Sequence, residues 1–269
     1  MVKTETLAAS RLIATAHQLA DASGKTILKY FRKSIQVDNK AAGGAFDPVT
    51  EADRAAERVI RKQLAVLHPD HGILGEEMGA SAGASRYTWV IDPVDGTRAF
   101  ITGMPLWGTL IGVTGDGRAE IGMMDQPYTR ERVWSGASAT FWREPDGRVR
   151  RVKSSACSSI EAARLTTTSP DLFEGANDRA AFARLKARAR LTRFGGDCYG
   201  YCLLAAGHID IIIEAGLKPY DIVALIPIIE RAGGVVTTWD GGRAEGGGRI
   251  LACGDPRLHE AAMKMIAGR

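Results

Sequence analysis

The chain of 269 residues has little of what marks several large protein classes. It carries only four cysteines, Cys157, Cys198, Cys202 and Cys253, and no Cys-x-x-Cys pair. A chain this long buries enough core to stand without disulfides, so the thiols are expected to be free, in a reducing compartment. Cys198 and Cys202 stand one helical turn apart, but no further ligand joins them, so they do not read as a zinc site. The five histidines lack His-Glu-x-x-His spacing, which sets a zincin aside. No apolar run approaches the ~20 residues of a membrane span, so no membrane partner is expected. The start, Met1 to Leu7, lacks the charged-then-apolar plan of a signal peptide, and a cytoplasmic location is expected. Aromatics make up only 7% of the chain. In the basic stretch 179–189 and just beyond it, the run of Arg184, Lys186, Arg188 and Arg190 has no aromatics interleaved for stacking on bases. It reads as a solvated helix face, with no nucleic acid partner. The glycine-rich stretch 241–248 lacks the Lys-Ser/Thr ending of a phosphate loop and reads as a hairpin loop.

What is present is ordinary for a globular protein: 45% hydrophobic and 25% charged residues, with a net charge of +4. Such a mild basic balance favours approach of an anionic substrate and says little about fold. Apolar residues at a helical period predict helices over 4–32 (with an interruption at Ser23–Gly24), 53–67, 179–189, 198–206, 222–231 and 259–266. Strands are predicted over 34–37, 87–91, 109–114, 119–124, 132–136, 164–168, 209–214, 235–237 and 250–252. Asp116–Gly117 and Pro145–Asp146–Gly147 read as hairpin turns. Residues 40–46, rich in glycine and alanine, are expected to form a mobile loop.

One stretch stands out: Trp89-Val90-Ile91-Asp92-Pro93-Val94-Asp95-Gly96-Thr97. An apolar run ends in two carboxylates around a proline, which fixes its own φ and holds the preceding residue extended. Such an end can deliver hard oxygen ligands to one point. A helix beginning after Gly96 would add free backbone N–H groups, which bind phosphate. Further acidic elements lie at Asp47-Pro48-Val49-Thr50-Glu51-Ala52-Asp53, at Gly75-Glu76-Glu77, and at Asp221 after Pro219-Tyr220. Each alone reads as a solvated face or a helix cap. Together, in this order, they are specific.

These motifs, with Phe100 and the run from Glu214 through Asp221 to Ala232-Gly233-Gly234, span roughly the whole chain. It resembles the inositol monophosphatase family of magnesium-dependent phosphatases. The resemblance implies an α+β fold, a layered αβαβα sandwich of the inositol monophosphatase and fructose-1,6-bisphosphatase type. It implies a single domain over 1–269, with sub-halves of roughly 1–150 and 151–269, and a homodimer. It also implies two to three Mg2+ ions per subunit. Glu76, Asp92 and the Val94 carbonyl would hold the first. Asp92, Asp95 and Asp221 would hold the second, and a weaker third would sit near Glu76. The nucleophile would be a water, its proton taken with the help of the Thr97 hydroxyl oriented by Asp53, with Glu76 also in the catalytic set. The Gly96 and Thr97 N–H groups would bind the phosphate of a small-molecule phosphate monoester. Glu77 would support the site from behind the ligands. Asp47 would do the same, or simply cap the helix that follows. No phosphoenzyme is expected, because phosphatases that form one use Asp-x-Asp-x-Thr, whereas the spacing here is Asp-Pro-Val-Asp.

Three segments depart from the general family pattern: Thr97 through Leu110, Gly196-Asp197-Cys198-Tyr199-Gly200, and Glu214 through Asp221. They look like the histidinol-phosphate phosphatase branch. L-Histidinol phosphate carries an ammonium and an imidazole beside its phosphate, so its pocket needs acidic acceptors opposite the metals. Asp197 and Glu214 are the candidates. Asp197 reads equally as an N-cap of the helix over 198–206, and Glu214 could instead accept from an inositol or sugar hydroxyl. The expected activity is hydrolysis of L-histidinol phosphate to L-histidinol and phosphate. The alternatives are an inositol or other sugar-phosphate phosphatase, and a catalytically silent metal-binding protein on the same fold. Arg98 either touches substrate or lies at the surface.

Overall fold

Helical periodicity gives the first helix one apolar face. Leu12, Ala16, Leu19 and Ala20 are buried on it, against Ile60 and Leu64 of the second helix. In this computed structural model, which describes residues 2–34, 36–39 and 48–268, the two helices are α1 (Val2–Ile27) and α2 (Glu51–Leu67). Asp47 and the loop expected over 40–46 lie outside the described residues. Helix α2 starts two residues before the predicted 53. Thr50 and Asp53 form a reciprocal capping box there, each satisfying backbone N–H groups of the first turn.

Strands β1 (Val37–Asn39) and β2 (Pro48–Thr50) pair with each other. Then follow β3 (Gly72–Gly75), β4 (Gly79–Ser81), β5 (Tyr87–Asp95), α3 (Thr97–Ile101), β6 (Gly108–Gly115), β7 (Arg118–Gln126), β8 (Glu131–Ser135), β9 (Thr140–Arg143) and β10 (Val149–Val152). They make an eight-stranded sheet in the order β10-β9-β8-β7-β6-β5-β3-β4. Its only parallel pair is β3 with β5. The rest of the chain gives β11 (Arg164–Thr167), α4 (Ala176–Arg188), β12 (Leu191–Phe194), α5 (Asp197–Ala205), β13 (Ile211–Leu217), α6 (Pro219–Ile222), α7 (Leu225–Ala232), β14 (Val235–Thr238), β15 (Gly248–Cys253) and α8 (Pro256–Ile266). Its five strands run β12-β11-β13-β15-β14.

Strand alternation sets the layers. Trp89, Ile91, Ile111, Val113, Ile121 and Met123 face α1 and α2. From the other face of that sheet, Leu110, Met124, Val133 and Trp142 pack on α5 and α7, which also cover Ile212, Ile250 and Ala252 of the second sheet. The remaining face of the second sheet, with Leu165, Ile211, Ile213 and Leu251, packs on α4 and α8. The result is helix, sheet, helix, sheet, helix: the layered α+β sandwich expected.

Four local readings need correction. Helix α1 runs unbroken through Ser23 and Gly24. The bare Gly24 lets Pro127 approach, since a Cβ there would lie 2.9 Å from the proline ring. Strand β5 does not end at Ile91 but continues through Asp95. The helix expected over 222–231 is two short ones, α6 and α7, and the strand expected over 34–37 is found at Val37–Asn39. Strands β3, β4 and β12 are short, and their sequence does not alternate clearly enough to announce them.

Candidate active site

Asp92 and Asp95 are three residues apart, and in a regular strand such a pair points to opposite faces. The ladder between β5 and β6 shows why they do not. Asp92 lies opposite Leu110 and Asp95 opposite Gly108, so three steps on one strand match two on the other. That extra residue is a bulge at Pro93–Val94, where a proline costs no ladder hydrogen bond. The bulge returns Asp95 to the face of Asp92, toward the central helices. Val94 N–H then donates to Asp92 Oδ1 at 3.0 Å and fixes that carboxylate.

Other elements converge on the same point. The turn after β3 brings Glu76, whose N–H donates to Ile91 O at 3.1 Å. The first turn of α5 presents Cys198 N–H, which donates to Asp95 Oδ2 at 2.6 Å. Asp221 sits in α6, its Oδ2 accepting from Lys218 N–H at 2.7 Å. Carboxylate oxygens of Asp92, Asp95 and Asp221 lie within 4.8 Å of one another. Glu76 stands against Asp92. The cavity they border measures about 280 Å³ and is also lined by Val94, Gly96, Thr97, Arg98, Asp197, Tyr201, Glu214 and Lys218. Gly96 has φ +88°, and a Cβ there would press on both the Asp197 side chain and Leu106 O at 3.2 Å. Only glycine lets the two walls meet this closely.

The electrostatics are those of an uncompensated acidic cluster. Burial pushes the Asp92 carboxyl well above the usual range, and the charges of Glu76, Asp95 and Asp221 push it further. Asp95 is raised in the same way, by burial and then by Asp197 and Asp221, against the opposing Cys198 N–H bond. The leading charges on both are negative. Hard oxygen donors packed in this way fit a divalent cation such as Mg2+, which relieves the repulsion and takes oxygen ligands.

Asp53 is fully buried behind this wall and does not line the cavity. Its Oδ2 accepts from Thr50, and its Oδ1 has no partner among the described residues. Burial raises its pKa to about 6, with the Thr50 bonds opposing and the Glu76 charge adding. Thr97 Oγ1 donates to Val94 O at 3.1 Å. Glu77 does not line the cavity; its N–H is anchored by Glu57 Oε2 at 2.8 Å.

Across the cavity, Glu214 shares the inner face of β13 with Ile212. Its Oε1 accepts from Thr168 N–H (2.7 Å) and Thr168 Oγ1 (3.0 Å), and its Oε2 accepts from Thr167 Oγ1 (3.2 Å). Burial outweighs these bonds and raises its pKa to about 8. Asp197 is not the cap that its sequence position allows. Helix α5 begins at Asp197 itself, with Gly196 in the cap position and no side-chain cap bond. Its φ of +43° is unusual for a residue with a side chain. Burial raises its carboxyl to about 6, opposed by a Gly196 backbone bond and by Arg98.

Two participants are not evident in the sequence. Glu57, fully buried, accepts from the N–H groups of Glu77 and Met78 and from Arg61 Nε, and so ties down the turn that carries Glu76. Its signal is its place three residues before Ile60 and seven before Leu64, on the inward stripe of α2. A Cβ on Gly75 would lie 2.1 Å from Glu57 Oε1, which explains that glycine. Tyr201 is the second, four residues after Asp197 on α5.

A sequence model of the inositol monophosphatase family matches residues 8–268. The chain belongs to that family. Over 267 residues it is 38% identical to the chloroplastic bifunctional phosphatase IMPL2 of Arabidopsis thaliana, covering 95% of this chain and 75% of that protein. It is 36% identical over 225 residues to a histidinol-phosphatase of Chlorobaculum parvum, covering 81% and 82%. The solved structure of an inositol monophosphatase from Zymomonas mobilis superposes with a TM-score of 0.83 at 39% identity, covering 95% of this chain and 97% of that one. The protein is thus a phosphatase of the inositol monophosphatase family, which generally uses Mg2+, and its acidic cluster suits that ion. No helix among the described residues is long and apolar enough to cross a membrane.

Proposed function

We propose that this phosphatase hydrolyses L-histidinol phosphate to L-histidinol and phosphate. The observation that carries the reading is the pair Asp197 and Glu214, one half-buried and one buried carboxylate that line the same cavity as Asp92, Asp95 and Asp221. A monoester with a cationic leaving group would present its phosphate to one wall and its ammonium to the other. Histidinol-phosphatase relatives support this choice.

In this reading Glu76, Asp92 and the Val94 carbonyl would hold one Mg2+, Asp92, Asp95 and Asp221 a second, and Glu76 a weaker third. Bound there, Mg2+ neutralises phosphate charge and lowers the pKa of a coordinated water. The chain's own groups do the rest. Gly96 and Thr97 N–H groups receive the phosphate oxygens. The Thr97 oxygen accepts the proton of the attacking water as its own hydrogen, donated to Val94 O at rest, turns to Asp53 Oδ1, which has no other partner among the described residues. Asp53, with a carboxyl raised to about 6, takes up that proton at near-neutral pH. Asp197 and Glu214 orient the leaving alcohol through its ammonium, whose charge lowers the raised Glu214 pKa so that its proton leaves to solvent, and Glu77 and Glu57 hold Glu76 in place from behind.

A second reading is a phosphatase for inositol or another sugar phosphate, in which Glu214 accepts from a ring hydroxyl. The likeness to the Zymomonas mobilis inositol monophosphatase favours it. Phosphate release with Mg2+ from L-histidinol phosphate, myo-inositol 1-phosphate and a sugar phosphate separates the two. The first reading expects the highest kcat/KM on histidinol phosphate.

A further inference from the structure

A buried polar group is almost always hydrogen-bonded, and one that is not invites an explanation. The Tyr201 hydroxyl is such a group. The residue is 3% exposed, and its Oη has no partner among the described residues. The other buried side-chain atoms in that condition belong to Asp53, Trp107, Trp142 and Arg231, none of which lines the cavity just described; Tyr201 does.

Its position narrows what the hydroxyl can meet. Tyr201 comes four residues after Asp197 in α5, and both line the cavity. Burial first, and then the charge of Glu214, hold its phenol above the ordinary tyrosine range, so it stays protonated. It is therefore a donor. Both Glu214 oxygens are engaged by Thr167 and Thr168, and Asp95 Oδ2 by Cys198 N–H. Of the carboxylates that line the cavity, Glu214 is the one whose charge acts most on the hydroxyl.

We infer that the Tyr201 hydroxyl reads the leaving group, donating a hydrogen bond to an acceptor atom of the alcohol, either an sp2 ring nitrogen or a hydroxyl oxygen. This rests on the reading of the cavity as the phosphate-ester site, with the leaving group against α5 and β13. It adds to the two carboxylates the complementary polarity. Asp197 and Glu214 select donors on the ligand, and Tyr201 selects an acceptor. A site built around such a donor discriminates against esters that lack its partner.

The test is Tyr201→Phe, which keeps the ring and removes only the oxygen. Its kcat and KM with Mg2+ are measured on L-histidinol phosphate, myo-inositol 1-phosphate and phenyl phosphate, whose leaving group has no acceptor beyond the ester oxygen. Thermal midpoints are measured alongside. The expected result is a KM raised about five- to tenfold on the alcohol ester that the parent enzyme prefers, the scale of one hydrogen bond. The change on phenyl phosphate should be several-fold smaller, and the midpoint equal or higher, because an unpaired polar atom has been removed. An equal change on all three esters, no change on any, or a lowered midpoint with uniform loss overturns the inference. The parent enzyme's own preference is read separately. If it favours inositol phosphate and Tyr201→Phe loses selectively on that ester, the histidinol reading falls and the role of Tyr201 stands. If it favours histidinol phosphate and the variant shows no selective loss, the reverse holds.

Discussion

The two walls of the cavity are both acidic, yet they are built on opposite principles. On one, Asp92 and Asp95 from β5 and Asp221 from α6 crowd together under mutual repulsion, with Glu76 against Asp92. On the other, Glu214 is covered by three hydrogen bonds, and Asp197, in a left-handed backbone, adds its charge to Asp95. The first wall is frustrated without a cation. On the second, Glu214 is already satisfied by the protein. A repelling cluster is a place for metal and phosphate. A satisfied, rigid carboxylate is a place for recognition, because ordering it costs nothing at the moment of binding. The comparison assigns chemistry to the first wall and choice of leaving group to the second.

The most severe way to break this division is Asp95→Asn. Turnover should fall by about a thousandfold on every ester, the scale of losing a contact that stabilises transition-state charge. In EDTA the same variant should melt at or above the parent, because a repelling charge has gone. A lower metal-free midpoint would contradict the repulsion argument.

Next in size is Glu57→Ala. It strips the N–H groups of Glu77 and Met78 and the Arg61 guanidinium of a buried partner, at a cost of about 3 kcal/mol. Denaturant melts should show that loss. Metal titration should show weaker Mg2+ binding, since the turn carrying Glu76 is released. Unchanged stability would mean that Glu57 is not the anchor.

Smaller effects probe the second wall. Asp197→Ala should raise KM on histidinol phosphate about tenfold or more while changing phenyl phosphate far less, the size of one charge-assisted contact. Equal effects on both would return Asp197 to a purely local role. The smallest effect is a slope. Glu214 has a carboxyl raised from 4.5 to about 8. Between those values the folded protein keeps a proton that the unfolded chain has lost, so this group's stabilisation is full below pH ~4.5 and fades as pH rises through about 8. In EDTA, Glu214→Gln should therefore show a flatter fall of melting temperature from pH 5 to pH 8 than the parent. A parallel fall would mean that Glu214 is ionised throughout.

How far the molecule could be read in advance differs between these regions. Residues of the Trp89–Thr97 run, Glu76 and Asp221 could be marked from their types and order, and the structure brings them to one cavity with Asp197 and Glu214. Local periodicity was enough for α2 and α8, whose apolar stripes are regular. It was not enough where a long-range contact decides. Nothing in Asp92-Pro93-Val94-Asp95 shows that the strand continues past Ile91 or that a bulge turns Asp95 back to the face of Asp92. That depends on the register with β6. Glu57 looks like half of a surface pair with Arg61 until the turn at Glu77 is seen folded over it. Tyr201 looks like an ordinary core aromatic until its hydroxyl is found without a partner. The division of α6 from α7 has no proline or glycine at Val223–Ala224 to announce it.

The central claim is that the Asp197 and Glu214 wall selects a cationic leaving group. Its most direct test is kcat/KM with Mg2+ on L-histidinol phosphate and myo-inositol 1-phosphate, side by side. The account predicts a preference of about a hundredfold or more for histidinol phosphate, some 2.7 kcal/mol of discrimination. A flat profile, or a preference for the inositol ester, would contradict it while leaving the fold and the acidic cluster as described.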